Sequence, residues 1–479
     1  MIFNSIDFAI FFPAVFFLYW FVFKRSVKLQ NAFLLLSSYA FYSFSDIRFL
    51  LLLIGVSLTA YFIGLGLERS VSGAVRGFLL ADGILLMAAT LGVFKYYDFF
   101  FEGFILPLGI SFYIFLSLSY IIDIYRRKMK ACSDPVDALL TLSFFPILLA
   151  GPIQRPVSLL PQIQKKRDFN YDLAAGGLRQ ILWGLFMKML IADNCAVYAN
   201  DIFANSDTYG GSTLLIGAAL YTVQIYADFA GYSEIAIGIS KLLGIELMRN
   251  FAFPYFAKDI VEFWRRWHIS LTSWFRDYIF LPLSFFISRK IPSERFLGIN
   301  TDMFIYIAGI CFTWLLTGLW HGSNRTFIVW GLFHGSLLIF YHVLKKPRKK
   351  VLRSLNIRHD NLILVSFERI FTLFAVMISW VIFRADSLHQ ALAFISGIFS
   401  SSLFSKPEFA GIRRINPVLI FGTIFFLIEW IGRNETFALE KFGLKWKRAF
   451  RWTFYPALIL CIYFFGNFSS AVEFIYFQF

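Results

Sequence analysis

Charge is scarce in this chain. Only 16% of its 479 residues are charged, against about 25% in an ordinary soluble domain, so a water-facing globule is excluded. Cysteine is scarcer still. Cys132, Cys195, Cys311 and Cys461 lie far apart in no metal-binding or redox spacing, and neither a disulfide framework nor a cysteine metal site has support. No stretch rich in glycine, serine or proline divides the sequence, and no polar segment is long enough to fold alone. Residues 1–479 therefore read as a single membrane domain. Gly-x-Ser-x-Gly, His-Glu-x-x-His and Walker motifs are also missing, which leaves a covalent serine, a zinc centre and a nucleotide loop without support.

What is present is apolar surface. Hydrophobic residues make up 58% of the chain and mean hydropathy is +0.66. Long apolar runs recur at 6–23, 78–94, 106–122, 214–226, 303–320, 326–344, 362–383, 417–430 and 452–468. At about 20 residues per span, the fold class is an all-α polytopic membrane protein with about 10 to 13 transmembrane or re-entrant helices. Segments 139–153 and 178–192 are short and read as re-entrant, which requires protein or a wet cavity around their backbone. The first run, 6–23, follows no basic region or small-residue cleavage site and is expected to stay as an uncleaved span. The 62 phenylalanines and the 20% aromatic content suit lipid-facing and interfacial packing.

Net charge is 45 − 30 = +15, gathered in clusters at 24–28, 126–130, 165–167, 345–358 and 441–451. Such clusters mark the cytoplasmic side of a membrane protein. They fit contact with anionic membrane lipids, or the gathering of an anionic cytosolic donor such as a coenzyme A phosphate. Short clusters between apolar spans do not suit nucleic acid, which is not an expected partner.

Against this background two histidines stand out, His268 and His321. An ionisable side chain in the hydrocarbon region costs roughly 2.5 kcal/mol or more, so it marks a functional site and calls for a partner. Each is the candidate partner of the other, within the motif-rich region 221–341. Written as one amphipathic helix, 261–278 aligns Trp264, His268, Leu271 and Phe275 on one stripe. Such a helix could equally lie in the headgroup plane, with His268 a satisfied structural histidine. His321 sits between Gly318 and Gly322, at an expected helix end or kink that admits close approach. His334 and His342 read as structural, and His359 and His389 fall near loops or span ends. Gly318-Leu-Trp-His-Gly-Ser323 is echoed thirteen residues later by Gly331-Leu-Phe-His-Gly-Ser336, too short for a repeat architecture and read as coincidence or similar helix packing.

A buried neutral imidazole can take a proton from a hydroxyl, help worth roughly 10² to 10⁴ in rate. Two histidines can also form a proton relay in a transporter or flippase for a lipid-linked saccharide. A scaffold subunit of a secretion complex is a third reading, which the two histidines in apolar context argue against.

An ordered set of motifs separates these readings. It comprises Ser111 to Asp123, Phe144 to Ile153 with Arg155, Asp228-Phe-Ala-Gly-Tyr-Ser233, Asn250-Phe251, Pro254-Tyr255, Glu262 to Leu271, Trp274 to Tyr278, Gly318-Leu-Trp-His-Gly322 and Phe474 to Phe479. The sequence resembles the membrane-bound O-acyltransferases, in particular their bacterial alginate O-acetyltransferase branch. The resemblance implies a helical fold around a catalytic tunnel, open to a cytosolic acyl thioester and to an acceptor on the outer side. It makes His321 the catalytic histidine and His268 the second active-site residue. Trp264, Trp267, Trp320, Asp228 and Tyr232 become candidates for the tunnel wall. No bound cofactor or metal is expected; acetyl-CoA enters as a substrate. The expected activity is O-acetylation of an exported or cell-surface polysaccharide such as alginate, through a separate extracytoplasmic acyl-accepting protein, from the bacterial inner membrane. Ala230 stands where relatives often have serine, a change expected to alter packing only. Leu283-Ser284 replaces a common Leu-Gly-Gly and leaves that loop's shape open.

Overall fold

The computed structural model describes residues 1–44, 46–96, 107–358, 360–468 and 474–475. His359, the start of the 106–122 run and the last four residues of the closing motif lie outside the described residues. Among the described residues twenty α-helices follow in order: α1 (Ile6–Phe17), α2 (Val27–Ser43), α3 (Ile47–Arg69), α4 (Gly73–Tyr96), α5 (Ile110–Tyr125), α6 (Pro135–Ser143), α7 (Phe145–Leu148), α8 (Pro156–Gln164), α9 (Tyr171–Leu185), α10 (Asp193–Ala204), α11 (Gly211–Leu242), α12 (Ile260–Arg266), α13 (Ile269–Phe275), α14 (Leu281–Lys290), α15 (Thr301–His321), α16 (Arg325–Ser354), α17 (Leu362–Arg384), α18 (Leu388–Ile398), α19 (Asn416–Gly432) and α20 (Arg448–Phe465). A two-stranded antiparallel hairpin, β1 (Arg295–Phe296) and β2 (Ile299–Asn300), precedes α15. Many helices begin where the sequence offers a short polar side chain. Ser5, Asp46, Asn170, Asp259 and Asn324 each accept a first-turn backbone N–H, satisfying donors that the helix itself leaves unpaired.

Seven helical stretches among the described residues are long and apolar enough to cross a membrane: Ile47–Arg69, Gly73–Tyr96, Tyr171–Ala204, Gly211–Leu242, Thr301–His321, Arg325–Ser354 and Leu362–Arg384. Four shorter apolar stretches accompany them, Ile6–Val22, Ile110–Tyr125, Leu388–Ile398 and Asn416–Gly432. The protein is a helical, multi-pass membrane protein. Segment 139–153 breaks after α6 and α7 into non-helical backbone, and residues 140–153 are buried throughout. The re-entrant reading of 178–192 is corrected. It lies inside the unbroken run Tyr171–Ala204, where α9 passes through a π-helical stretch (Phe186–Ala192) into α10. Lys188 and Asp193 lower its hydropathy, but they are paired inside the protein. Lys188 Nζ lies 2.8 Å from Asp193 Oδ1 and 2.7 Å from Asp228 Oδ1, with all three side chains at most 5% exposed.

The centre of the bundle is the antiparallel pair α9 and α11, which touch backbone to backbone. A Cβ on Gly177 would lie 2.7 Å from Gly238 O, and one on Gly184 would lie 2.5 Å from Gly231 O. The two contacts are seven residues apart on each helix, so small residues recur on one face and let the axes close up, as in lipid where packing drives association. Gly231→Leu should therefore push the helices apart at a cost of about 3 kcal/mol or more. Size-exclusion profiles in detergent should then show loss of the monodisperse species. The echo around Gly318 and Gly331 has the same cause on α15 and α16. A Cβ on Gly331 would lie 2.3 Å from Trp314 O and 3.2 Å from Gly318 Cα. Similar helix packing is the reading the structure supports.

Three of the basic clusters gather at one end of the bundle. Trp20 Nε1 donates to Leu242 O, Asn31 Nδ2 to Ile163 O and Arg179 to Glu440 O, tying together the segments around 24–28, 165–167 and 441. At the opposite end Tyr96 O–H donates to Leu319 O, and Asn324 Nδ2 to Asp386 O. His321 closes α15 at this second end.

Candidate active site

The single helix expected over 261–278 is two. α12 stops at Arg266, and His268 takes left-handed backbone angles, φ 42 and ψ 52, before α13 starts. A non-glycine residue there stores strain of about 1–3 kcal/mol and persists only when its surroundings fix it. Asn250 fixes it. Its carbonyl accepts from Ile269 N at 2.8 Å, and Arg266 O accepts from Ala252 N at 2.8 Å, so segment 250–252 laces both sides of the break.

The same asparagine sets the state of the imidazole. Asn250 Nδ2 donates to Ser233 Oγ at 2.9 Å, so its Oδ1 is the acceptor. Ser270 Oγ donates to that oxygen at 2.8 Å, and His268 Nδ1 lies 2.9 Å from it. An amide oxygen can only accept. His268 Nδ1 therefore carries the proton, and Nε2 carries the lone pair. Replacing Asn250 with alanine removes this orientation and should lower kcat about tenfold to a hundredfold, with the donor KM little changed in steady-state assays.

His321 is boxed by aromatic rings, with centroids at 4.7 Å for Trp320, 4.9 Å for Trp330 and 5.0 Å for Phe383. Both histidines are buried, at 1% and 2% exposure, and both line one cavity of about 420 Å³. Trp264 and Trp267 also line it, as do Leu271 and Phe275; the stripe read from the sequence survives the break in the helix. Its α15 wall runs through Tyr306, Ile310, Thr313, Thr317 and His321, spaced by three and four residues over about 22 Å of helical rise. Arg265 and Arg276 also line it. Beside Arg276, the Asp277 carbonyl accepts from Arg126 at 3.2 Å, which ties this part of the cavity to the basic cluster at 126–130.

The remaining candidates lie elsewhere. Trp320 is not a lining residue; its ring stands behind the histidines, 6.1 Å from His268 and 5.8 Å from Phe115. Asp228 is not on the cavity wall either, because it pairs with Lys188 and accepts from Ile475 N at 2.8 Å. Tyr232 stacks between Phe3 and Phe474, at 4.6 and 4.8 Å. A polar residue in an apolar helix can serve a cavity or a buried ion pair, and motif membership does not distinguish them. His334 is structural: Trp264 Nε1 donates to its Nδ1 at 3.2 Å, and Ser379 Oγ lies 3.0 Å from its Nε2. Since Ser379 O–H donates to Val376 O, it is His334 Nε2 that donates to the serine.

The sequence reading gave no role to Lys95 or Asn250. Lys95 Nζ sits 5.0 Å over the Trp320 ring, and among the described residues no ion pair involves it. Its signal was a lysine directly after the apolar run 78–94. Asn250 was visible only as part of a motif. Among the described residues, no group of three or more His, Cys, Asp or Glu side chains is arranged to hold a metal ion.

Comparison with known proteins identifies the family. The model of the membrane-bound O-acyltransferase family matches residues 133–296. A probable alginate O-acetylase of Pseudomonas putida is 34% identical, covering 94% of this chain and 95% of its own length. A peptidoglycan O-acetyltransferase of Helicobacter pylori is 29% identical over 100% of this chain and 98% of its own. A teichoic acid D-alanyltransferase of Bacillus subtilis is 31% identical over 51% of this chain and 60% of its own. Near-complete coverage at that identity makes the chain a member of the membrane-bound O-acyltransferase family, and so an O-acyltransferase.

Proposed function

We propose that this enzyme moves an acetyl group from a cytosolic thioester, acetyl-CoA, to a hydroxyl on the other side of the membrane for O-acetylation of a cell-surface polysaccharide. The observation that carries this reading is the single cavity shared by Arg265, Arg276, His268 and His321. The two arginines attract the donor's phosphates, and the apolar wall along α15 takes its slim thiol arm. Among the described residues the cavity lining contains no carboxylate. An aminoacyl group would bring an ammonium ion with no counter-charge, whereas acetyl brings no charge, which favours acetyl.

His321 takes the hydroxyl proton as that oxygen attacks the thioester carbonyl. The new C–O bond forms, the C–S bond breaks, and the proton passes from His321 to the departing thiolate, giving ester and free thiol. His268, its ring fixed by Asn250, orients the acceptor beside His321. The aromatic walls exclude water that would hydrolyse the thioester. A separate extracytoplasmic protein receives the acetyl group and passes it to the polymer.

Deletion of the gene in its native host tests the assignment. Acetyl esters should disappear from the surface polysaccharide while polymer export continues. Unchanged acetylation with lost export would overturn it in favour of a saccharide transporter.

A further inference from the structure

Two of the basic clusters, far apart in sequence, meet in a second cavity. It has a volume of about 560 Å³ and shares no residue with the cavity at the histidines. Lys24 and Arg25 approach from the turn after the π-helical stretch (Leu18–Val22) that continues α1, and Lys166 and Arg167 from the segment after α8. Trp20 and Phe169 form an aromatic floor, their centroids 5.5 Å apart. The site is preformed: Tyr19 O–H donates to Leu243 O and Trp20 Nε1 to Leu242 O, pinning α1 to the end of α11. Arg167 is 6% exposed and donates to Ile163 O and Asn31 Oδ1, so it is built into the wall. Lys24 and Arg25 take part in no ion pair among the described residues. Lys166 meets only Asp168, at 3.6 Å, and both are largely exposed; such a pair is worth little. Four cations therefore face one carboxylate around a space large enough for a headgroup.

We infer that this cavity binds the phosphate of an anionic glycerophospholipid from the membrane leaflet at the basic end of the bundle. The argument for a lipid is continuity. Lys24 and Arg25 follow directly on α1 and its π-helical continuation, where Phe17 and Phe21 are 57% and 62% exposed, so acyl chains can lie along that face while the phosphate reaches Lys24, Arg25 and Lys166. Basic residues near a membrane surface attract anionic lipid at about 1 kcal/mol each. A cavity of this size sets the stoichiometry at one lipid per chain.

Native mass spectrometry of the full-length protein, extracted in a neutral detergent and supplied with phosphatidylglycerol, tests this directly. The expected result is one retained phosphatidylglycerol per chain, with occupancy at least fivefold lower for phosphatidylcholine. Lys24→Gln combined with Arg25→Gln should lower phosphatidylglycerol occupancy at least fivefold, while Lys24→Arg combined with Arg25→Lys, which keeps the charge and the topology signal, should retain it. Lys349→Gln with Lys350→Gln, in another cluster, should leave it unchanged. Equal occupancy in the glutamine variant and the wild type would overturn the site. Displacement by inorganic phosphate or by coenzyme A would overturn the lipid as its occupant.

Discussion

His321→Ala is expected to lower acyl transfer by about 10² to 10⁴ in a protein that still inserts and purifies. The loss should fall on kcat, with the KM for the donor little changed, because the cavity arginines and the α15 wall remain. Folding should survive because the α15–α16 contact rests on Gly318 and Gly331, whose backbones meet whatever side chain stands at 321. His334→Ala should do the opposite. It leaves the Trp264 indole N–H without its acceptor in a buried site, so stability should fall by about 1–3 kcal/mol. Assays on both variants at equal membrane expression separate a base from a structural histidine.

The second large effect concerns the core. Lys188→Ala is expected to cost about 3–5 kcal/mol, the price of leaving a buried charge without its partner. Asp193 and Asp228 would remain, nearly fully buried, with no cation between them. Asp228 also receives the Ile475 N–H, so the end of the chain should loosen with it. Thermal unfolding in detergent should show a marked fall in Tm or no folded protein. A triple replacement, Lys188→Met with Asp193→Asn and Asp228→Asn, removes all three charges and should recover most of the loss. Failure of the triple variant to recover would place the defect in shape and not in charge.

Composition and periodicity made the helical membrane fold legible, since few charges and long apolar runs have one solution in lipid. His268 and His321 were legible as ionisable residues in apolar surroundings. The break at His268 was not, because Trp264, His268, Leu271 and Phe275 satisfy helical spacing; hydrogen bonds accepted by Asn250, eighteen residues earlier, impose the break. Segment 178–192 was misread because hydropathy counts Lys188 as a cost, whereas two carboxylates from later in the chain offset it. Asp228 and Tyr232 were placed on the cavity for the same reason in reverse, a local motif being silent about the direction a side chain takes. Lys95 went unnoticed because a lysine at the end of an apolar run has an ordinary explanation, and only the fold brings it over Trp320.

The central claim is that the thioester enters from the basic end of the bundle and that the ester forms at the other side. Sealed membrane vesicles of defined orientation, supplied outside with acetyl-labelled acetyl-CoA, test it most directly. Inverted vesicles, which present the basic clusters outward, should form labelled ester in their interior, with no label incorporated by right-side-out vesicles or by inverted vesicles carrying His321→Ala. Incorporation by right-side-out vesicles and none by inverted ones would contradict the account.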